Sequence, residues 1–373
     1  MIYLDNAATT KPSQEALNKA QIFNQDEFFN PSALYSGGLN SARNIKIAKE
    51  SILRNLGTIN HEVVFTSCGS ESDNLAIFGA IKRGVFVTTK GEHSAVYKSF
   101  LELKNRGFSI NLIELNNDGS VNESALLDFV KNNKVDFVSI VHVNNETGAI
   151  NEINKLAKAV KEINNKIIFH SDGVQAYGKI PYRLSKDVDL YSISAHKING
   201  LKGVGALIKK KNLSLSPIIF GGGQENNLRS GTENVFGIKV FEYCGMDKYS
   251  NLSENYKKVQ ELKDYVVNNL NKSIFKIISG DKSSPYILTV SAVGLRGEVL
   301  MHLLEEDGVI VGNGSACSSK NRFSRVIEAC AYKNDVLDGI VRISFSTETT
   351  LDEVILATSL INKRAKILKG IIK

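Results

Sequence analysis

The chain has 373 residues, 42% hydrophobic and 23% charged, an ordinary soluble composition with room for one large α/β domain and a smaller one. Its net charge is +7, but lysine and arginine are spread along helix-like segments without aromatic interleaving, which argues against nucleic acid as a partner. No apolar run approaches the roughly 20 residues of a membrane helix. The start, "MIYLDNAATTKPS", lacks a secretory signal, and Cys68, Cys244, Cys317 and Cys330 form no CxxC pair. A cytoplasmic protein with free thiols and no zinc site is expected.

Strand-like runs then alternate with helical ones. "EVVFTS" (62–67), "GVFVTT" (84–89), "VDFVSIVHV" (135–143), "KIIFHSD" (166–172), "DVDLYSIS" (187–194) and "GVGALIKK" (203–210) are apolar and β-branched without alternation. That pattern suits strands covered on both faces. Between them, "NEINKLAKAVKEINN" (151–165) spaces its apolar residues for one helix face. A mainly parallel sheet with helices on both sides follows. Near residue 250 the texture changes to a long charged helix, "NLSENYKKVQELKDYVVNNLNKS", and then to the short runs "PYILTVSA", "VIVGNG" and "VRISFS". A large domain over 13–250 and a smaller α+β domain over 251–373, joined by residues 1–12, are expected.

In open α/β sheets, function gathers where strands end. Four ends carry unusual residues. In "FTSCGSESDN", Gly69 and Ser70 open a helix suited to a phosphate, although a plain helix cap would look alike. In "FHSDGVQAYG", Asp172 sits just past an apolar strand with Gln175 three residues on, again either cap or site. In "SISAHKING", Lys197 stands beside Ser192, Ser194 and His196. A surface turn would explain a lone lysine, but a partly desolvated amine is also what a Schiff base with an aldehyde needs. An anion site, a carboxylate for a ring nitrogen and a lysine for an aldehyde together describe a pocket for pyridoxal phosphate.

The fourth end, "VIVGNGSACSSKNRF", holds Cys317 among glycines and serines, where a thiol is expected to be exposed and mobile. Cys244 and Cys330 read as buried fillers. Cys68, beside the phosphate turn, is expected beneath the cofactor.

The motifs "YLDNAATT", "FTSCGSESDN", "EHSAV", "HVNNETGAI", "HSDGVQAYGK", "SISAHKINGLKGVGAL", "FGGGQENNLRSGTEN", "GNGSACSS" and "VRISFS" resemble the cysteine desulfurases of the NifS and IscS type, nearly end to end. These belong to the class V aminotransferase family of pyridoxal-phosphate enzymes. The resemblance implies fold type I, the aspartate-aminotransferase-like α/β fold, with a mainly parallel sheet in the large domain and a smaller α+β domain. The "GSACSS" loop matches the first group of these enzymes.

The resemblance also implies roles. Lys197 would hold pyridoxal 5'-phosphate as an imine, His93 would stack on its ring and carry protons, and Asp172 would pair with the ring nitrogen. Gln175 would bond the phenolic oxygen. Gly69, Ser70, Ser194 and His196 would bind the phosphate, joined by Thr232 from a neighbouring subunit in a homodimer. Asn145 and Arg342 would hold the substrate carboxylate. Cys317 would take sulfur from L-cysteine as a persulfide, releasing L-alanine, with His93 as the candidate to share the thiol proton. An acceptor protein serving iron–sulfur cluster assembly or tRNA thiolation would follow.

The chain departs from the family pattern at Tyr35, where histidine is usual, and at Asn226 and Asn227, which replace an arginine and a glycine. These bear on the pocket rim and on the loop leading to Thr232. After Cys317 the proline common before the next helix is absent. The short ending "INKRAKILKGIIK" points to a NifS-like role with a dedicated acceptor. The competing readings are a selenocysteine lyase or class V aminotransferase on the same scaffold, and a non-catalytic sulfur carrier or RNA-binding protein.

Overall fold

The computed structural model describes residues 1–80, 84–313 and 323–371. A short strand, β1 (Ile2–Tyr3), opens the chain. Seven strands then build the central sheet: β2 (His61–Thr66), β3 (Val85–Thr89), β4 (Ser109–Ile113), β5 (Val135–Ser139), β6 (Ile168–Asp172), β7 (Leu190–Ser194) and β8 (Gly205–Lys210), in the order β2-β8-β7-β6-β5-β3-β4. All neighbours run parallel except β8, which is antiparallel to both β2 and β7.

Successive strand residues point to opposite faces, and here both faces are cores. Val64, Phe86, Phe137 and Leu207 pack with Leu75 and Phe100 from the helices Gly69–Ala80 and Ser94–Asn105. Their neighbours Phe65, Val87, Val138 and Ile208 join the opposite cluster with Ile52, Leu156 and Phe241 from the helices Ser36–Asn55, Ile153–Ile163 and Val235–Ser250. That double covering is why these strands read as continuous apolar runs. The edge strand β4 is mostly half-buried, so "SINLI" carries no such signal and was not anticipated.

A three-stranded antiparallel sheet follows, formed by β9 (Phe275–Ile277), β10 (Ile287–Ala292) and β12 (Ile340–Ser344) in the order β12-β10-β9. Its core joins Leu288 and Ile343 to Leu262, Leu300 and Ile361 of the helices Leu252–Asn269, Gly297–Glu306 and Leu351–Ile371. The "VIVGNG" run provides β11 (Val309–Ile310), which pairs with β1 and not with the small sheet. Leu4 enters the same core, and the Ala7 N–H donates to Ser344 Oγ at 2.9 Å. The N-terminal segment therefore lies between the two sheets. Among the described residues, no helix is long and apolar enough to cross a membrane.

Candidate active site

Because β8 reverses twice, β2, β3, β5, β6 and β7 all point the same way and their carboxyl ends share one edge. The residues just beyond those ends enclose a cavity of about 460 Å³. Ten of the sequence-predicted positions line it: Gly69, Ser70, His93, Asn145, Asp172, Gln175, Ser194, His196, Lys197 and Arg342. They come from six separate chain segments, brought together by the parallel topology and by β12.

One end of the cavity is suited to an anion. The helix Gly69–Ala80 presents its N-terminus there, where backbone N–H groups and the helix dipole favour negative charge. A β-carbon at Gly69 would lie 2.7 Å from Val174 Cγ2, so the close approach requires glycine. Ser194 Oγ is buried on this wall without a hydrogen-bond partner among the described residues. His196 Nδ1 meets Thr9 Oγ1 at 3.1 Å, and burial, then the Lys197 charge, lower its pKa to about 4.

Acidic residues also line the cavity. Asp172 ends β6, and its Oδ1 accepts the Val174 N–H at 2.9 Å. Burial raises its pKa, while His93 and Lys197 oppose the shift. Single ligand atoms of Asp73, His93 and Asp172 lie within 4.8 Å of one another. Asp73 is buried, and desolvation and then the Asp172 charge hold its carboxyl well above the usual range. Burial and the neighbouring Asp172 carboxylate thus both favour the protonated form of Asp73, whereas His93 and Lys197 favour the charged form of Asp172.

His93 caps the helix Ser94–Asn105, its Nδ1 accepting the Ala95 N–H at 3.2 Å. A backbone N–H only donates, so Nδ1 is the acceptor, and burial lowers the ring's pKa. The neutral ring thus carries its proton on Nε2. To accept a proton, as the sequence reading asks, it must first release Ala95.

Lys197 lies in the single turn Ala195–Lys197 after β7, and its Nζ donates to the carbonyls of Ala7 at 2.6 Å and Ala8 at 2.7 Å. Gln175 Nε2 donates to the same Ala7 carbonyl at 2.8 Å. Arg342 projects from β12, with Nη1 donating to the Asn145 carbonyl at 2.8 Å and Nη2 to Asp5 Oδ1 at 2.8 Å. Its buried Nε has no partner among the described residues. Arg342 thus meets the backbone of Asn145, while Asp5, which the sequence reading passed over, supplies its countercharge.

Three further groups escaped the sequence reading. Glu92 and Glu146 line the cavity, and burial raises their pKa to about 8 and about 7. Arg325 also lines it and stacks 3.8 Å from the Tyr97 ring centroid, while Ser324 hydrogen-bonds Glu146. Glu92 adjoins His93 and Glu146 adjoins Asn145, so adjacency to residues already chosen was the available signal.

Thr232 does not line this cavity; it borders a separate pocket of about 120 Å³ with Arg229 and Glu225. Cys317 lies outside the described residues. Cys68 is half-buried on the cavity wall, whereas Cys244 and Cys330 are buried, which pushes both thiols up to about 12. Tyr35 is exposed and outside the cavity. Asn226 and Asn227 have φ of 56° and 64°, a left-handed pair that asparagine tolerates better than most side chains.

The Aminotransferase class-V family matches residues 2–356. The chain is 36% identical over 368 residues to a "Cysteine desulfurase IscS" of Dictyoglomus turgidum, covering 95% of this chain and 91% of that protein. A solved structure titled "NIFS-LIKE PROTEIN" superposes with a TM-score of 0.91 at 31% identity, covering 98% of this chain and all (100%) of that one. Another, titled "SspA in complex with cysteine", superposes with a TM-score of 0.82 at 27% identity, covering 94% of this chain and 100% of that one. The chain belongs to the aminotransferase class-V family, and its α/β architecture is that of the NifS-like enzymes.

Proposed function

We propose that the protein is a pyridoxal-phosphate-dependent cysteine desulfurase. It would take sulfur from L-cysteine, release L-alanine and hold the sulfur as a persulfide on Cys317 for an acceptor protein. The observation that carries this reading is the convergence of the Lys197 amine, the Asp172 carboxylate and a helix N-terminus on one cavity. The relatives named cysteine desulfurase support it over a lyase or an aminotransferase.

The residues present suit the cofactor. The unpartnered Ser194 hydroxyl and the positive end of the helix Gly69–Ala80 offer donors to a phosphate, with His196 and Ser70 beside them. Lys197 would hold its aldehyde carbon, Asp172 its ring nitrogen, Gln175 its phenolic oxygen and His93 its ring face. Thr232 borders a pocket of its own away from this cavity, in keeping with a contribution to the neighbouring subunit of a homodimer. When bound, pyridoxal phosphate supplies an electron sink conjugated to the substrate's Cα.

The chain's own groups do the rest. Arg342, fixed by Asp5 and the Asn145 carbonyl, offers its unpartnered Nε edge to the substrate carboxylate. Nζ of Lys197 carries the Cα proton. The Nε2–H of His93 donates into the cavity, and its ring receives a proton once Nδ1 parts from Ala95. The Cys317 thiolate attacks the substrate sulfur: an S–S bond forms, the C–S bond breaks, and its electron pair stays with carbon until protonation yields alanine.

The acceptor serves iron–sulfur cluster assembly or tRNA thiolation, and the reaction takes place in the cytoplasm. Alanine and sulfide released from L-cysteine test the scheme. Cys317→Ser is expected to lose sulfide production while keeping the bound cofactor's colour, and full desulfuration by this variant would refute the persulfide route. Borohydride reduction of the holoprotein is expected to label Lys197; a label on another lysine would refute the anchor.

A further inference from the structure

Lys179 is 5% exposed and has no ion pair among the described residues. Among the described residues, the charges of Lys197, Lys248 and Arg342 act on it, all cationic. Tyr286 packs beside it, its ring centroid 5.7 Å from Nζ. Burying an ammonium-forming group this way is costly, so its polar contact has to matter. That contact is Gln175: Nζ donates to Oε1 at 2.9 Å. The turn that permits it runs through Gly178, at φ 70°.

An amide offers one accepting end and one donating end, and can present either to a cavity. Lys179 donating to Oε1 and the Ala7 carbonyl accepting from Nε2 together remove that freedom. Nε2 must then face the cavity side, where it donates to the Ala7 carbonyl at 2.8 Å, the same oxygen that receives Lys197 Nζ at 2.6 Å. One relay of contacts thus links Lys179, Gln175, Ala7 and Lys197. We infer that Lys179 is a positioning residue that locks the Gln175 amide with its nitrogen toward the cavity, so that Gln175 acts on the bound cofactor only as a hydrogen-bond donor. This rests on the reading in which Gln175 meets the phenolic oxygen of pyridoxal phosphate.

A donor at that oxygen draws electron density from the conjugated imine and lowers its proton affinity. The assay is the pH titration of the holoprotein's visible absorption band. Lys179→Met is expected to raise the midpoint by on the order of one pH unit, the worth of one hydrogen bond. Gln175→Ala is expected to raise it equally, and the double variant no further. Lys179→Arg, which keeps a donor, is expected to hold the wild-type midpoint. Should Lys179→Met fail to fold, Lys179→Gln carries the test, because its amide can face Gln175 with either end and the midpoint rises again. A midpoint unchanged in the folded Lys179 variant, or additive shifts in the double variant, would overturn the inference. A wild-type protein without a Lys197-dependent band would instead overturn the cofactor reading, so the two failures are separable.

Discussion

Gly173, immediately after Asp172, offers a sharp test of how the core supports the site. A β-carbon at Gly173 would lie 1.9 Å from Tyr191 Cζ and 2.3 Å from its hydroxyl, where carbons normally rest about 3.5–4.0 Å apart. The Tyr191 ring has nowhere to go. It is fully buried on β7, bonded through its hydroxyl to His142 Nδ1 at 2.9 Å and stacked 5.8 Å from the Tyr182 ring. Overpacking typically costs about 1–3 kcal/mol, and a locked ring places Gly173→Ala at the upper end, about 3 kcal/mol. At roughly 2–4 °C per kcal/mol, the apoprotein should melt about 6–12 °C lower. Asp172 and its Val174 contact lie beside the clash, so cofactor affinity should fall as well. Circular dichroism melts of the apoprotein and a cofactor titration measure both effects. Tyr191→Leu removes the clashing atoms, so the double variant should lose much less than the sum of the singles. A Gly173→Ala protein that melts within about 1 °C of wild type, well inside the shift expected for a 1 kcal/mol loss, would refute the packing argument.

Two other outcomes follow from the site. Burial raises Glu92 to about 8, so the stability it lends is full below the unfolded carboxylate pKa of about 4.3 and is lost as pH rises toward 8. The urea midpoint of the apoprotein should fall across that window, and Glu92→Gln should flatten the fall; an unchanged slope would sink the assignment. Arg342→Lys replaces a fork that holds Asp5 and the Asn145 carbonyl and still has Nε to spare. Loss of a charge-assisted bond worth about 1.5–3 kcal/mol should raise KM for L-cysteine roughly 10- to 100-fold, with a smaller change in kcat. An unchanged KM would remove Arg342 from carboxylate binding.

Much of the site was legible because each strand end carries its own chemistry within a few residues. "EHSAV", "HSDGVQAYG" and "SISAHKING" each place a titratable group just past an apolar run, and an apolar run is visible without any partner. Asp73, Glu92 and Glu146 were not singled out, because a carboxylate in a helix or loop looks alike in sequence whether water or protein surrounds it. Lys179 is the clearest case. In "AYGKI" nothing marks it, and only the packing of Tyr286 and Gln175 around it makes it a buried amine.

By itself, the amino-acid sequence determined the alternation of the strands other than β4 with helices, the two-sided burial of the sheet and the chemical types delivered to its edge, since these follow from local periodicity and from the residues at each strand end. Only the tertiary structure decided which way β8 runs, that β1 pairs with β11, that Asp5 neutralises Arg342, and that the His93 ring holds its proton on Nε2. The pairing of β1 with β11 and of Asp5 with Arg342 joins distant parts of the chain, and the course of β8 and the His93 proton depend on which strand and which ring nitrogen make the contact, none of which leaves a local signature in the chain.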